Sequence, residues 1–261
     1  MTENKCRVVA VANQKGGVGK TTTALNLAAG LAELDRRVLL IDMDPQGNSS
    51  TGAGVELEPH EPTVCEVLLN ERPADQVIRR IEEMKIDLLP ANGDLTAAEV
   101  ALMELDDRAN VLKEEIEPLR AFYHHIIIDC PPALNVLTLN ALTAADGVLI
   151  PMQCEYYALE GLTALMRTIE QIQDSVNPAL ELEGLVRTMY DVRNNLSGAV
   201  SRQLQEHFGD KVFATVIPRN VRVAEAPSYG QSVIQYDRES RGAIAYLGLA
   251  GEYLRRRAAA A

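Results

Sequence analysis

The residues best suited to chemistry form one contiguous run, Gln14-Lys15-Gly16-Gly17-Val18-Gly19-Lys20-Thr21-Thr22, set between the apolar segment RVVAVAN (7–13) and an Ala/Leu-rich segment of helical period. A strand, a glycine-rich loop and a helix in that order let successive backbone N–H groups point inward at a phosphate chain, beside the positive end of the helix. On this reading Gly16, Gly17, Val18, Gly19 and Thr22 form the cradle, Lys20 reaches the β- and γ-phosphates, and the Thr21 hydroxyl coordinates Mg²⁺. The usual pattern G-x-x-x-x-G-K-[ST] begins with glycine, whereas this chain has Gln14 there and adds Lys15. Lys20 and the loop amides already fill the cradle, so Lys15 is expected to face outward. It is either a solvated surface lysine or, across a symmetric interface, a cation offered to the other subunit's phosphates, as an arginine finger is supplied in trans.

Three aspartates extend the site. Asp42 and Asp44 follow the apolar run RVLLID, and Asp129 closes Ile126-Ile127-Ile128, so each stands at the carboxyl end of a predicted strand. Asp129 is expected to hold Mg²⁺, through water, with a helix cap before Pro131 as the alternative. Asp44 opens Asp44-Pro45-Gln46-Gly47-Asn48, a composition that demands a turn.

Positioning these groups requires strands alternating with helices, and the chain has that rhythm throughout. Strands are predicted at 7–13, 37–42, 85–90, 124–129, 146–152, 182–190 and 212–217. Helices are predicted at 20–34, 64–69, 74–82, 94–104, 109–121, 136–144, 156–174, 197–208 and 240–257. Several strands are apolar on both faces, as parallel strands between two helical layers must be. The expected fold class is therefore α/β: a single-domain, doubly wound, mainly parallel twisted sheet flanked by helices, spanning residues 1–261 with a short tail at 1–5 and an Ala-rich end at 258–261.

With 47% hydrophobic and 24% charged residues the composition excludes dominant disorder. No run of 18 uncharged apolar residues and no apolar leader is visible, so a cytoplasmic location is expected. Cys6, Cys65, Cys130 and Cys154 lack metal or disulfide spacing and read as small core residues. His124 and His125 read as surface positions at the entrance to the Asp129 strand.

The net charge of −12 conceals a split. Residues 1–184 carry 14 Lys+Arg against 30 Asp+Glu, whereas residues 185–261 carry 11 against 7, ten of the eleven being arginine. Arg187, Arg193, Arg202, Arg219, Arg222, Arg238 and Arg241 supply most of that excess. Guanidinium groups suit bidentate contact with phosphate oxygens, and aromatic residues for stacking single strands are not interleaved among them. A solvated mixed surface is the alternative.

KGGVGKTT, DMDPQGN and IIIDCPP, with EYYALEGL at 155–162 and IPRNVRVAEAPSYG at 217–230, resemble the deviant-Walker P-loop ATPases, and most closely the ParA/Soj partition proteins. The resemblance implies an ATP- and Mg²⁺-dependent sandwich homodimer with Lys15 crossing to the partner's ATP and Gly16 at the meeting of the two loops. It implies that Asp44 positions or polarises the attacking water while Asp42 supports the Mg²⁺ shell, two roles that the sequence does not separate, and that Pro218 and Asn220 lie near adenine, with a strand terminator as the alternative for Pro218. It further implies nonspecific double-stranded DNA binding through Arg193, Arg219 and Arg222, with Arg219 alternatively paired to Glu225 or placed near adenine. Slow hydrolysis accelerated by a ParB-like centromere-binding partner, a nucleoid-associated location and positioning of a chromosome, a plasmid or a non-DNA cargo complete the expectation. Only 13 residues precede Gln14, too few for a leading helix-turn-helix domain.

Three other readings compete. A MinD-like membrane-cycling ATPase would need a C-terminal amphipathic helix, but GLAGEYLRRRAAAA lacks the bulky apolar face that would enter the bilayer boundary, so no stable membrane association is expected. An iron–sulfur relative would rely on Cys130. A purely structural binding module leaves the phosphate-site residues without a role.

Overall fold

The computed structural model describes residues 6–156 and 158–260. One eight-stranded sheet organises the chain: β1 (Arg7–Val11), β2 (Val38–Asp42), β3 (Arg79–Ile81), β4 (Ile86–Leu89), β5 (His125–Asp129), β6 (Gly147–Gln153), β7 (Glu181–Tyr190) and β8 (Val212–Pro218). Their order is β3-β4-β2-β5-β1-β6-β7-β8. All neighbours run parallel except β3 against β4. The expected α/β class is observed.

Side chains alternate across each strand, so an apolar strand feeds two cores. Val8, Ala10, Ile126 and Ile128 enter the layer beneath α3 (Val64–Leu68), α4 (Leu95–Leu102), α5 (Val111–Ile116), α6 (Val136–Ala144), α7 (Ala158–Ser175) and α8 (Asn195–Phe208). Val9, Val11 and Ile127 enter the opposite layer, beneath α1 (Lys20–Glu33), α10 (Val233–Tyr236) and α11 (Arg241–Ala260). The three consecutive isoleucines thus serve both layers. Two further short helices, α2 (Asn48–Gly52) and α9 (Val221–Glu225), stand in loops at the carboxyl edge of the sheet.

Three expectations are corrected. The predicted helix at 74–82 is a 3-10 turn at Ala74–Gln76 followed by β3, because Arg79–Ile81 find backbone partners on β4. The alanines at 258–260 continue α11. His125 is not a surface residue: it begins β5, is 6% exposed, and meets the Tyr253 ring edge-on, with the Tyr253 hydroxyl 3.3 Å from Nδ1. The four cysteines are buried, as expected.

Burial lowers the His125 pKa to about 4 from an ordinary 6.5. The folded value is depressed, so between those two pH values the unfolded chain binds the extra proton and acid destabilises the fold. Replacing His125 by Gln keeps a polar partner for Tyr253 and removes the titration. Denaturant melts at pH 7 and pH 5 should show the wild type losing about 2 kcal/mol more than His125→Gln over that interval. Equal losses would place the proton elsewhere.

Candidate nucleotide site

Parallel strands deliver Val11, Asp42, Asp129, Gln153, Tyr190 and Pro218 to the same edge of the sheet, where doubly wound folds bind ligands. Between β1 and α1 the chain turns through Gly17 (φ 74°) and Gly19 (φ 90°), both in the left-handed region that favours glycine. Gly19 precedes α1 with no side chain capping the helix, so first-turn N–H groups are left for a ligand. The loop is held from outside. The Thr188 hydroxyl donates to the Val18 carbonyl (2.7 Å), Gln153 Nε2 to the Gly17 carbonyl (2.9 Å), and Lys15 N to Asn13 Oδ1 (3.0 Å). None of these supports was anticipated; a polar residue at the end of an apolar strand was the one available signal.

A cavity of about 580 Å³ opens over the loop, lined by Gly16, Gly17, Gly19, Lys20, Thr21 and Thr22, with Asp44 to Gln46, Asn48, Pro131 to Ala133, Asn135 and Met189 completing its wall. Val18 is buried behind it. Lys20 is 7% exposed, and its Nζ has a long 3.5 Å contact to the Lys15 carbonyl. Burial lowers its pKa, against the opposing attraction of Asp129 and Asp44. Lys15 does not join the wall; its Nζ lies 2.5 Å from Glu155 Oε2 outside the cavity.

Asp42 and Asp129 are in register on adjacent strands and fully buried. Asp42 accepts from Asp44 N (3.1 Å), Ser50 N (2.9 Å) and Ser50 Oγ (2.8 Å), so both its oxygens are engaged in shaping the loop that carries Asp44. Asp129 Oδ2 accepts from Ser49 Oγ (2.8 Å), but Oδ1 has no hydrogen-bond partner among the described residues. Burial first, and then the Asp42 charge, push the Asp129 carboxyl well above the usual carboxylate range, while the nearby Thr21 and Ser49 hydroxyls pull it down. Burial likewise raises Asp42, against the hydrogen bonds from Ser50 and the Asp44 amide. An orphaned buried carboxylate oxygen is costly unless a cation or water reaches it, and with the Thr21 hydroxyl it forms a hard, oxygen-donor set suited to Mg²⁺.

Asp44 lies in the cavity wall, 7% exposed, with Oδ1 accepting from Gln46 N (3.0 Å). Its loop closes at Gly47, whose φ is 60° and where a Cβ would sit 2.7 Å from the Ala91 carbonyl oxygen, so no other residue fits. Ser49 and Ser50 were missed by sequence reasoning, although they follow the aspartate loop directly.

Pro218 and Asn220 do not line this cavity. Pro218 borders a second one of about 610 Å³, with Tyr190 to Arg193, Arg219, Arg241 and Ile244. Asn220 Oδ1 accepts from Val223 N (3.3 Å), capping α9. Met189 stands between the two cavities with φ 48°, a strained value for a side chain of its size.

The arginines divide by what already holds them. Arg193 is 86% exposed in its side chain but chelated by Asp191 (2.9 and 3.0 Å). Arg222 pairs with Glu225 (2.9 Å) and Asp237 (3.3 Å), taking the partner expected for Arg219. Arg219 and Arg241 are exposed and carry no ion pair among the described residues. Arg187 is no part of a basic face: it is buried, donating to Ser201 Oγ (2.7 Å) and the Phe213 carbonyl (2.7 Å). Arg238 is paired with Glu33, and Arg256 with Glu252 over the Phe213 ring.

A family model described as an AAA domain matches residues 6–182. The chain is 52% identical over 258 residues to the chromosome partitioning protein ParA of Caulobacter vibrioides, covering 98% of this chain and 97% of that one. It is 48% identical over 246 residues to the sporulation initiation inhibitor protein Soj of Bacillus subtilis, covering 94% and 97%. Among solved structures it resembles cobyrinic acid a,c-diamide synthase from Mycobacterium smegmatis with bound ATP analogue and magnesium, with a TM-score of 0.86, 39% identity, and 98% and 97% of the two chains covered.

Proposed function

The chain belongs to the ParA/Soj family of partitioning ATPases, and from that premise we propose that it is a DNA-segregation ATPase whose ATP-bound homodimer grips duplex DNA without sequence preference. Hydrolysis, accelerated by a ParB-like centromere-binding partner, opens the dimer and releases it. The observation that supports this reading best is a pair of lysines five residues apart with opposite placements. Lys20 is buried in the cavity wall and Lys15 stands outside it.

Gly16, Gly17, Val18, Gly19, Thr21 and Thr22 supply the cradle for the phosphates, and Lys20 supplies its charge. Thr21 and Asp129 would hold Mg²⁺ with Asp42 fixing the shell from behind; the bound ion would neutralise phosphate charge. Asp44 orients the attacking water. Pro218 is in register with Tyr190, next to Met189, so a base extending past Met189 would meet Pro218 and Asn220. Lys15 reaches across the dimer to the partner's ATP.

Arg219 is the foremost DNA contact because it is exposed and, among the described residues, forms no ion pair, with the Asp191 carboxylate near it already chelated by Arg193. Arg193 and Arg222 contribute after releasing their acidic partners, and sequence-independent binding follows because backbone contacts carry no base information. The protein works in the cytoplasm, on the nucleoid. No helix among the described residues is long and apolar enough to cross a membrane.

Gel filtration and DNA retention with ADP and with a nonhydrolysable ATP analogue test the cycle. The analogue should yield dimer and DNA binding with a log–log salt slope of about −0.9 per phosphate neutralised, and ADP should yield neither. A Cβ on Gly16 meets nothing within 4 Å in the single subunit. Gly16→Val should therefore keep the melting temperature and nucleotide affinity while abolishing the dimer. A Gly16→Val protein that dimerises normally would refute loop-to-loop closure.

A further inference from the structure

We propose that Glu155 is the positioning residue for Lys15: it holds the ammonium outside the nucleotide cavity in the single subunit, and its exchange for phosphate oxygens sets how readily two subunits close. The proposal rests on the trans role given to Lys15 above. Nζ of Lys15 and Oε2 of Glu155 are 2.5 Å apart, and the two side chains are about half exposed, at 47% and 50%.

The contact belongs to a larger grip. Glu155 follows β6 on the turn into α7, and Gln153, at the end of the same strand, donates to the Gly17 carbonyl. One strand end therefore holds the phosphate loop at two points, through backbone at Gly17 and through charge at Lys15. The amide of Lys15 is fixed independently by Asn13. Among the described residues Lys15 has no other carboxylate partner and Glu155 no other cation. Gly16, the next residue, lines the cavity, whereas neither Lys15 nor Glu155 does, so the ion pair forms next to the phosphate site but outside its wall.

The strength of the pair suits a latch. A half-exposed ion pair biases an equilibrium by a factor of about two to five at most, enough to favour the open subunit without blocking closure. A polyphosphate presented across an interface offers several anionic oxygens in exchange for one carboxylate. Lys15 then changes partner without leaving a buried charge unpaired, and the monomer is disfavoured only when a terminal phosphate is there to receive it.

The test uses the full chain carrying Glu155→Gln or Glu155→Asp. Dimer dissociation constants are measured by analytical ultracentrifugation with a nonhydrolysable ATP analogue and with ADP, alongside nucleotide affinity and melting temperature. Glu155→Gln should tighten the analogue-bound dimer about two- to five-fold with nucleotide affinity and melting unchanged. Glu155→Asp should return most of the way to wild type, and the Gln effect should vanish when Lys15→Gln is also present. An unchanged or weaker dimer in Glu155→Gln overturns the proposal, as does an equal tightening in the Lys15→Gln background, which would reflect bulk charge. A wild type that stays monomeric with the analogue overturns the dimer reading itself, a result distinct from failure of the latch alone.

Discussion

Lys20→Ala should leave a folded chain whose ATP affinity has fallen about 100-fold. The ammonium is buried and, among the described residues, its one hydrogen-bond contact is the 3.5 Å approach to a carbonyl, so its donors are free for phosphate. A hydrogen bond to a charged group contributes about 1.5–3 kcal/mol, so losing one near the top of that range accounts for the expected drop. Removing the cation also leaves Asp129 and Asp44 facing an anionic ligand without the charge that offsets them. Titration with a fluorescent ATP analogue reads the affinity, and a thermal melt reports the fold. Wild-type affinity in a well-folded Lys20→Ala protein would remove Lys20 from the phosphates and the cavity from its proposed use.

Asp44→Ala should behave in the opposite way, retaining ATP and losing turnover by about 10²- to 10⁴-fold, the usual contribution of a residue that positions or activates a nucleophile. The loop survives the change because Asp42 holds the Asp44 backbone amide and Ser50, while Asp44 itself contributes one turn hydrogen bond to Gln46. The expected product is a dimer that persists on DNA after ATP is supplied. Single-turnover hydrolysis and DNA retention over time measure the two halves. Normal turnover in Asp44→Ala would exclude the role assigned to this carboxylate.

What the sequence made legible follows from contiguity. The phosphate loop is one unbroken run, and the strands are short apolar segments whose alternation suffices to feed two helical layers, as Ile126, Ile127 and Ile128 illustrate. The segment 74–82 misled because Val77, Ile78 and Ile81 among charged neighbours imitate a helical stripe; pairing with β4, which no local pattern encodes, decides its conformation. Arg187 was counted as surface charge because composition ignores strand alternation. Gln153, Thr188 and Met189 were invisible as site residues for a different reason. They reach the loop because the sheet order puts β6 beside β1 and β7 next beyond β6, and that order is a property of the whole fold. The helices α2, α9 and α10, each of four or five residues, fall below the length at which periodicity is informative.

The end of β7 touches both cavities in consecutive residues: Thr188 clasps Val18, Met189 walls the loop cavity, and Tyr190 borders the arginine-lined one. Such a partition allows no private tuning. A substitution made there to adjust one occupant will register with the other, and variants selected for firmer attachment to a polymer should therefore map to this junction and arrive with altered nucleotide behaviour as an unsought companion.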